Sequence, residues 1–502
     1  MKVILANDVK KIDESLVNEG VSSNILMENA AFSVTEAVLK AYSGGKVFFL
    51  CGPGGNGGDG FAAARQLTAS SISVQCALIG DDTKINSDTK VNMRYFENKG
   101  TLLKVKIKED LSSINIDKED IIVDAIFGIS LSREVRGIYK EVIEYINSLS
   151  SYKISVDMPS GVAADTGQVL GCAVKADETV TFVYPKPGQL IYPGREMAGK
   201  LTVANIGAFA DTESDIEVFF SSGDELKLPK REKNTNKGDY GYLAILGGSK
   251  GFTGAAAFSA KSAMAAGAGV VCLGTLKEVQ GIYAKLLPGA VTKEISGDGG
   301  KYSIKSIGDI EEFLKGKAAA AIGPGMGYDK GLLPLLKKIL SLPLKKVLDA
   351  DAINILSHNP DLLKNACGEI VLTPHPKEFS RLTGLSVDEI IKNPLFLAKQ
   401  FALDYNVTLL LKGASTVVAS KDKASIILAG TPGMAKGGSG DVLTGVIAGL
   451  MSQGFGAHFS AVLGAHICGK AGEAASEKKG EYSMTPKDTI NNIPYIIKKM
   501  SR

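Results

Sequence analysis

The sequence predicts an α/β protein of two domains, each built on a mostly parallel sheet covered by helices. Three observations carry that reading. Short apolar runs alternate with helical stretches along most of the chain, the arrangement that a parallel sheet covered on both faces requires. The 502 residues exceed one ordinary domain. A strand, a glycine-rich turn and a helix start follow one another in that order near residues 46–65, and again near residues 424–451.

Hydrophobic residues form 45% of the chain and charged residues 22%, enough apolar material for large cores. A formal charge of +3 over this length gives no field for nucleic acid or an anionic membrane, so neither is an expected partner. The N-terminal apolar run is too short for a signal peptide, and no uncharged stretch approaches transmembrane length. Six cysteines are scattered without a Cys-x-x-Cys pair, and histidines number only four. Reduced thiols in the cytoplasm are therefore expected, and a zinc site or disulfide frame is not.

In the first half, Val9, Ile12, Leu16 and Val17 recur at helical spacing, as do Leu26, Ala30, Val34, Ala37 and Val38. Residues 46–50 read as a strand running into a glycine-rich turn, with a helix expected from Phe61 onward. Further strands are read at residues 74–79, 121–127, 154–156 and 179–183. Ligands in such sheets bind outside the carboxyl ends of the strands. Asn56 and Asp59 follow the first strand, Asp124 lies in a later one, and Asp157 and Ser160 follow another. Turn chemistry explains any one of them. Taken together, oxygen donors with no soft ligand nearby suit a hard cation.

Residues 212–224 are acidic and polar and residues 228–239 are charged, which places a domain boundary near residue 215, giving domains 1–215 and 216–502. A strand at 241–246 leads into a glycine-rich turn and a helix of small residues through Ala268, a composition that signals close packing. Strands at 318–322, 346–348, 369–372, 407–411 and 426–428 each end in a polar or glycine-rich group. The last group, Gly430-Thr-Pro-Gly-Met-Ala-Lys-Gly-Gly-Ser-Gly-Asp441, leads into a helix read at 442–451. Gly437, Gly438 and Gly440 permit close backbone approach, and the free amides and macrodipole of a helix start favour phosphate. Asp441 stands where a carboxylate could take a proton from an attacking hydroxyl. The alternative is that Ser439 or Asp441 simply caps the helix. The dipole is expected to lower the pKa of Asp441. His375 is held rigidly between Pro374 and Pro376, which suits contact with a ligand.

Gly52-Pro-Gly-Gly-Asn-Gly-Gly-Asp-Gly60, Val123-Asp-Ala-Ile-Phe-Gly128, Asp157-Met-Pro-Ser-Gly161 and Asn24-Ile-Leu-Met-Glu-Asn-Ala30 resemble the NAD(P)H-hydrate epimerase family, over about residues 1–210. The resemblance implies a Rossmann-like α/β/α domain that binds K⁺ through Asn56, Asp124 and Ser160. Gly55, Asn56, Gly57, Gly58 and Asp59 would hold the hydrated nicotinamide nucleotide. So would Gly128, Ile129, Ser130, Leu131, Ser132, Arg133, Glu134 and Asp157. Gly55 replaces a usual asparagine of that family, and Ile129 a common threonine. The hydrate is a hemiaminal, and epimerisation needs only reversible loss of water or ring opening at one carbon, with a carboxylate moving the proton. Asp59 is the candidate for that role and Asp157 the alternative.

The groups at the strand ends of the second half resemble, in their order, the ADP- or ATP-dependent NAD(P)H-hydrate dehydratase family, from about residue 225 onward. The resemblance implies a ribokinase-like α/β/α sandwich. Ala255, Gly325, His375 and Asp441 would contact the hydrate, and Lys412, Gly413, Ala414, Ser415, Thr416 and Gly440 the adenine nucleotide. Asp441 would free the ring hydroxyl to attack the terminal phosphoryl group, with Mg²⁺ and the amides at 438–440 stabilising charge. Asn236 replaces a frequent histidine, and Thr431 and Lys436 replace the usual asparagine and threonine. Lys436 would either contact phosphate or face solvent. The whole reads as a bifunctional repair enzyme for hydrated NADH and NADPH, homo-oligomeric by resemblance, using ADP in preference to ATP. The alternatives are a small-molecule kinase in the second half, and a first half that only binds a nucleotide or a partner.

Overall fold

Val47–Cys51 is buried along its whole length, and its residues alternate between two cores. Phe49 and Cys51 join Val123 and Phe61 in one, while Phe48 and Leu50 join Ile122 and Ile143 in the other. Successive side chains of a strand point to opposite faces, so both faces of this sheet need cover. The computed structural model, which describes residues 1–70, 72–98, 101–207, 216–219 and 226–501, supplies that cover with helices.

The chain forms two compact units, Lys2–Ser214 and, with Met1, Asp215–Arg502. The boundary read near residue 215 lies outside the described residues, as do most of the acidic residues read at 212–224. In order, the first unit contains α1 (Ala6–Asn18), α2 (Ser23–Ala41), β1 (Val47–Cys51), α3 (Gly55–Thr68), β2 (Val74–Ile79), α4 (Ser87–Glu97), β3 (Thr101–Val105), β4 (Ile121–Ala125), α5 (Ile138–Ser148), β5 (Tyr152–Val156), β6 (Glu178–Phe182) and β7 (Lys200–Ala204). Helices α1 to α4 pack on one face and α5 on the other. The strands lie in the order β3-β2-β1-β4-β5-β6-β7, every pair parallel.

Helix α3 begins at Gly55, six residues before the start expected at Phe61. The glycines serve contact between backbones here, not loop flexibility. A Cβ on Gly57 would stand 1.8 Å from the Gly52 carbonyl oxygen, and one on Gly60 2.6 Å from the Ala125 methyl. Asn56 and Asp59 therefore sit on the first turns of a helix. Strands β3 and β7 were not expected from the sequence. They form the two edges of the sheet and are only partly buried, so neither carries the continuous apolar run of a central strand.

The second unit contains β8 (Ile216–Phe219), β9 (Tyr242–Leu246), α6 (Thr253–Ala265), β10 (Val270–Leu276), β11 (Val291–Ile295), β12 (Ala319–Ile322), β13 (Lys345–Leu348), β14 (Ile370–Leu372), α7 (Pro376–Thr383), β15 (Thr408–Leu411), β16 (Thr416–Ala419), β17 (Ala424–Ile427), α8 (Ser439–Ser452) and α9 (Ala457–Lys479). Its strand order is β8-β17-β16-β15-β14-β13-β12-β9-β10-β11. Pairing is parallel from β11 through to β15, and β16 runs antiparallel to both its neighbours. The buried strand β10 directly follows the small-residue helix, and an unbroken apolar run has no period that separates it from a buried helix. Close packing of that helix, α6, is as its composition led one to expect. A Cβ on Gly445 of α8 would lie 2.1 Å from the Ser259 carbonyl oxygen and 2.1 Å from Ser262 Oγ.

Gly57→Ala is expected to destabilise the first unit by about 1–3 kcal/mol through overpacking. A lowered midpoint in thermal unfolding checks this; an unchanged midpoint would mean that α3 can retreat from Gly52.

Candidate active sites

In the first unit the sheet is wound outward from β1, to β2 and β3 on one side and to β4 and beyond on the other. The crossovers leave a crevice at the carboxyl ends of β1 and β4, where such sheets bind ligands. A cavity of about 770 Å³ opens there. It is lined by Gly55, Asn56 and Asp59 of α3, by Gly128, Ile129, Ser130, Leu131, Ser132 and Arg133 after β4, and by Asp157 after β5. Three other residues of the expected site stand outside that lining. Gly57 and Gly58 face packing contacts, with Met27 Cε 2.4 Å from where a Gly58 Cβ would be. Glu134 pairs with Arg136 at 2.6 Å on the surface.

The sequence reading missed four charged residues of this cavity, Lys10, Asp13, Asp88 and Lys186, of which Asp13 on α1 and Lys186 after β6 interact with Asp157. The Lys186 ammonium is fully buried and donates to Asp157 Oδ1 at 2.5 Å and to Thr181 Oγ1 at 2.8 Å. Asp157 holds a left-handed backbone conformation, φ 62°, uncommon for a residue with a Cβ. Gln189 Nε2 donates to its carbonyl oxygen at 2.5 Å. Asp157 is thus committed to its neighbours. Asp59 and Asp13 are not: among the described residues neither makes a hydrogen bond or ion pair. Burial, then the charges of Asp157 and Asp13, push the Asp59 carboxyl well above the usual carboxylate range. Burial and Asp157 raise Asp13 to about 6 against the opposing pull of Lys186.

Asp124 and Ser160 lie beneath this crevice, both without solvent exposure. Ser160 Oγ donates to Asp124 Oδ1 at 2.5 Å, and the Ser160 amide and Ser155 Oγ donate to Oδ2 at 2.9 and 2.8 Å. The buried Asn56 Nδ2 has no partner.

In the second unit the crevice lies between β9 and β12, again on either side of the strand from which the sheet is wound. Gly248 and Ser249 donate their amides to the carbonyls of Pro324 and Gly325 across it, at 2.9 and 2.8 Å. Gly325 lies against Ala255, whose Cβ is 3.1 Å from where a Gly325 Cβ would be. The next strand ends add Asp349 and Asp351 after β13, Thr373 and His375 after β14, and Lys412 after β15. Asp349 is the hub; from the sequence it is only the first residue of the polar strand-end group 349–354, with no role of its own. Lys412 Nζ at 2.9 Å and Thr373 Oγ1 at 2.9 Å donate to its Oδ1, and Thr444 Oγ1 donates to its Oδ2 at 2.8 Å. Burial alone would lower Lys412, yet Asp349 and Glu378 hold its pKa above the usual lysine value.

Helix α8 starts at Ser439 with Gly438 at the cap position, so neither Ser439 nor Asp441 caps it. Gly438 has φ 99°, and a Cβ there would meet Phe258 at 2.8 Å. Asp441 occupies the third helical position, in the first turn. The helix dipole does not set its acidity, as had been expected. Burial first, then the charge of Asp349, lift it to about 7, with Lys412 pulling the other way. Gly440 is beside the same lysine: a Cβ on it would lie 3.4 Å from Lys412 Nζ. Together these groups set a carboxyl that gains and loses its proton near neutrality against free helix amides and a cation.

Two other residues, Lys436 and His375, differ from what the sequence led one to expect. Lys436 lies on the exposed surface, but its ammonium is bound. Its ammonium donates to the carbonyls of Glu481, Tyr482 and Met484, at 3.3, 2.7 and 2.6 Å, pinning the turn before α8. His375 is the N-cap of α7: Nδ1 accepts from the amides of Lys377 and Glu378. Its rigidity comes from that cap, and Nε2 remains on the outer edge, 3.5 Å from Glu378 Oε1. Gly413, Ala414 and Ser415 form the turn from β15, and Thr416 opens β16, its hydroxyl donating to the Gly413 carbonyl at 3.1 Å.

Residues 243–495 match the family model described as NAD(P)H-hydrate dehydratase, and residues 23–188 match that of the YjeF-related protein N-terminus. The bifunctional NAD(P)H-hydrate repair enzyme Nnr of Thermofilum pendens is 36% identical over the whole of this chain and 97% of its own. That of Moorella thermoacetica is 35% identical, again over the whole of this chain and 97% of its own. Among solved structures, the ADP/ATP-dependent NAD(P)H-hydrate dehydratase of Bacillus subtilis, co-crystallized with ATP/Mg²⁺, superposes with a TM-score of 0.51 at 26% identity. The superposition covers 57% of this chain and 99% of that one. Both halves of the molecule are accounted for at full length, and the chain belongs to the family of bifunctional NAD(P)H-hydrate repair enzymes.

Proposed function

We propose that the first unit interconverts the R and S forms of hydrated NADH and NADPH, and that the second dehydrates the S form using ADP or ATP. The observation that carries the second activity is Asp441, a carboxyl poised near pH 7 in the first turn of a helix where the amides of Gly440 and Asp441 have no acceptor among the described residues and stand free for phosphate. Hydroxide leaves a carbon poorly, whereas phosphate leaves well. Asp441 takes the proton of the ring hydroxyl as its oxygen bonds to the terminal phosphorus of the nucleotide. The amides of the first turn of α8 stabilise the charge in transfer. The lone pair of the ring nitrogen then expels phosphate, and the resulting iminium loses a proton from the adjacent ring carbon, restoring NADH or NADPH and leaving AMP where ADP is used. Ala255, Gly325 and His375 position the hydrate, and Lys412 to Thr416 with Gly440 position the nucleotide. Joining the units is useful because the second consumes only one epimer. Relatives matched over the whole chain favour repair over a kinase fused to a binding module.

In the first unit Asp59 moves the proton, because Asp157 is committed to Lys186. Asn56, Asp124 and Ser160 would hold K⁺. The donor set fits a hard monovalent ion, being oxygen only with Asp124 and Ser160 buried, and the unpartnered end of the Asn56 amide leaves it free to turn its oxygen inward. Bound there, the ion would supply fixed positive charge beneath the crevice. Mg²⁺ would arrive with the nucleotide phosphates and neutralise them. An ion that keeps its waters needs few protein ligands, and no cluster of three acidic, histidine or cysteine side chains stands ready for it among the described residues.

No helix among the described residues is long and apolar enough to cross a membrane. The six free cysteines accord with a reducing compartment such as the cytoplasm. We also expect self-association, which sedimentation reads out.

A mixture of both epimers of hydrated NADH, with ADP, Mg²⁺ and K⁺, is expected to return fully to NADH, followed by absorbance. Asp59→Asn should return only the S fraction promptly. Asp441→Asn should slow dehydration by roughly 10²–10⁴-fold, the usual contribution of a general base. Full recovery by Asp441→Asn at the original rate would sink the assignment of the base.

The dehydration rate should rise with pH through about 7, where Asp441 loses its proton. In Asp349→Asn the limb moves to lower pH, since a like charge is removed and Lys412 is released toward Asp441. A limb that stays in place would mean that another group titrates.

A further inference from the structure

The first cavity holds a carboxylate that no family expectation assigns. On α1, Val9, Asp13 and Val17 follow one another at four-residue intervals, and all three line the cavity. Asp13 thus takes the middle position of a stripe that is otherwise apolar, on the helix edge turned to the ligand space. Its carboxylate has no side-chain hydrogen bond or ion pair among the described residues, Lys186 offsets its charge only in part, and two more carboxylates, Asp59 and Asp157, are close enough to act on it. A half-buried acid in like-charged company weakens the fold, and such groups concentrate where proton transfer is performed.

Resting on the epimerase reading above, we propose that Asp13 is a second catalytic residue of the first site, dividing acid and base roles with Asp59 across the two halves of epimerisation. The carboxylic acid of one residue gives its proton to the ring hydroxyl. The carbon–oxygen bond breaks, water leaves, and the lone pair of the ring nitrogen becomes the second bond of a carbon–nitrogen double bond. Water then adds to the other face of that planar carbon. Its surplus proton passes to the carboxylate of the second residue, and the double-bond pair returns to nitrogen. Protons and electrons balance without a co-reactant, and each passage exchanges the protonation states of the two residues. Their surroundings suit proton exchange: burial and the neighbouring carboxylates push Asp59 well above the usual carboxylate range and raise Asp13 to about 6. The other charged groups of the cavity are Lys10 of α1, Asp88 of α4, Arg133 after β4, Asp157 and Lys186. Asp157 and Lys186 neutralise each other.

The test measures R–S exchange of hydrated NADH by the full chain without ADP or ATP, so that the second unit consumes nothing. Asp13→Asn, Asp13→Glu and Asp59→Asn are compared with the unaltered protein, with hydrate binding measured by calorimetry. Asp13→Asn is expected to slow exchange by about 10²-fold or more while still binding hydrate. It should also lose the acid-side limb of the pH profile, and Asp13→Glu should regain part of the rate. A merely structural Asp13 would leave that limb in place. Exchange by Asp13→Asn at the unaltered rate, with Asp59→Asn inactive, overturns this inference alone. Exchange by the unaltered chain no faster than the spontaneous reaction overturns the epimerase reading and this inference with it.

Discussion

Each sheet is wound outward from one central strand, β1 or β9, and both sites depend on that winding. Crossovers that leave in opposite directions cannot cover the strand ends between them, so a crevice remains at the carboxyl edge. The candidate site residues stand at the carboxyl ends of these strands and of the strands beside them. In the first unit the crevice keeps its depth because α3 approaches β1 closely through Gly57 and Gly60. In the second, α8 is held against α6 through Gly445, which sets Asp441 at the strand ends.

The carboxylates around the openings fall into two sorts, and the difference is one of partners. Asp157 and Asp349 are hubs, each tied to a lysine and to threonine hydroxyls. They hold loops and lend negative charge. Asp13, Asp59 and Asp441 lie partly buried in the field of those hubs, and their pKa values are raised, Asp13 to about 6, Asp441 to about 7 and Asp59 well above the usual carboxylate range. Burial in the presence of a fixed like charge is what turns an ordinary aspartate into a group that can exchange protons at physiological pH. The two units reach the same electrostatic solution on different elements.

Much of this was legible in the chain. The central strands were readable because full burial leaves an unbroken apolar run, and the helices α1 and α2 because their inner faces repeat at helical spacing. The edge strands β3, β7 and β11 were not, since a half-exposed strand carries no such run. Asn56, Asp59, Asp157 and Asp441 stood out because each lies at the end of a strand in a glycine-rich or polar motif. Asp13, Lys186 and Asp349 did not stand out as separate site residues. The first lies within a helical pattern of ordinary charge, and the other two gain their meaning from partners 29 to 95 positions away.

Sequence alone determined the α/β class, the two-part organisation and the strand-end motifs, because burial and turn geometry impose local patterns that a reader of residues can count. Tertiary structure decided where α3 begins, which aspartates are tied and which are free, and that Lys436 serves carbonyls instead of phosphate. It also reversed the expected acidity of Asp441. A helix dipole can be inferred from a motif, but desolvation and the charge of Asp349 depend on which atoms fold against one another, and here they outweigh it.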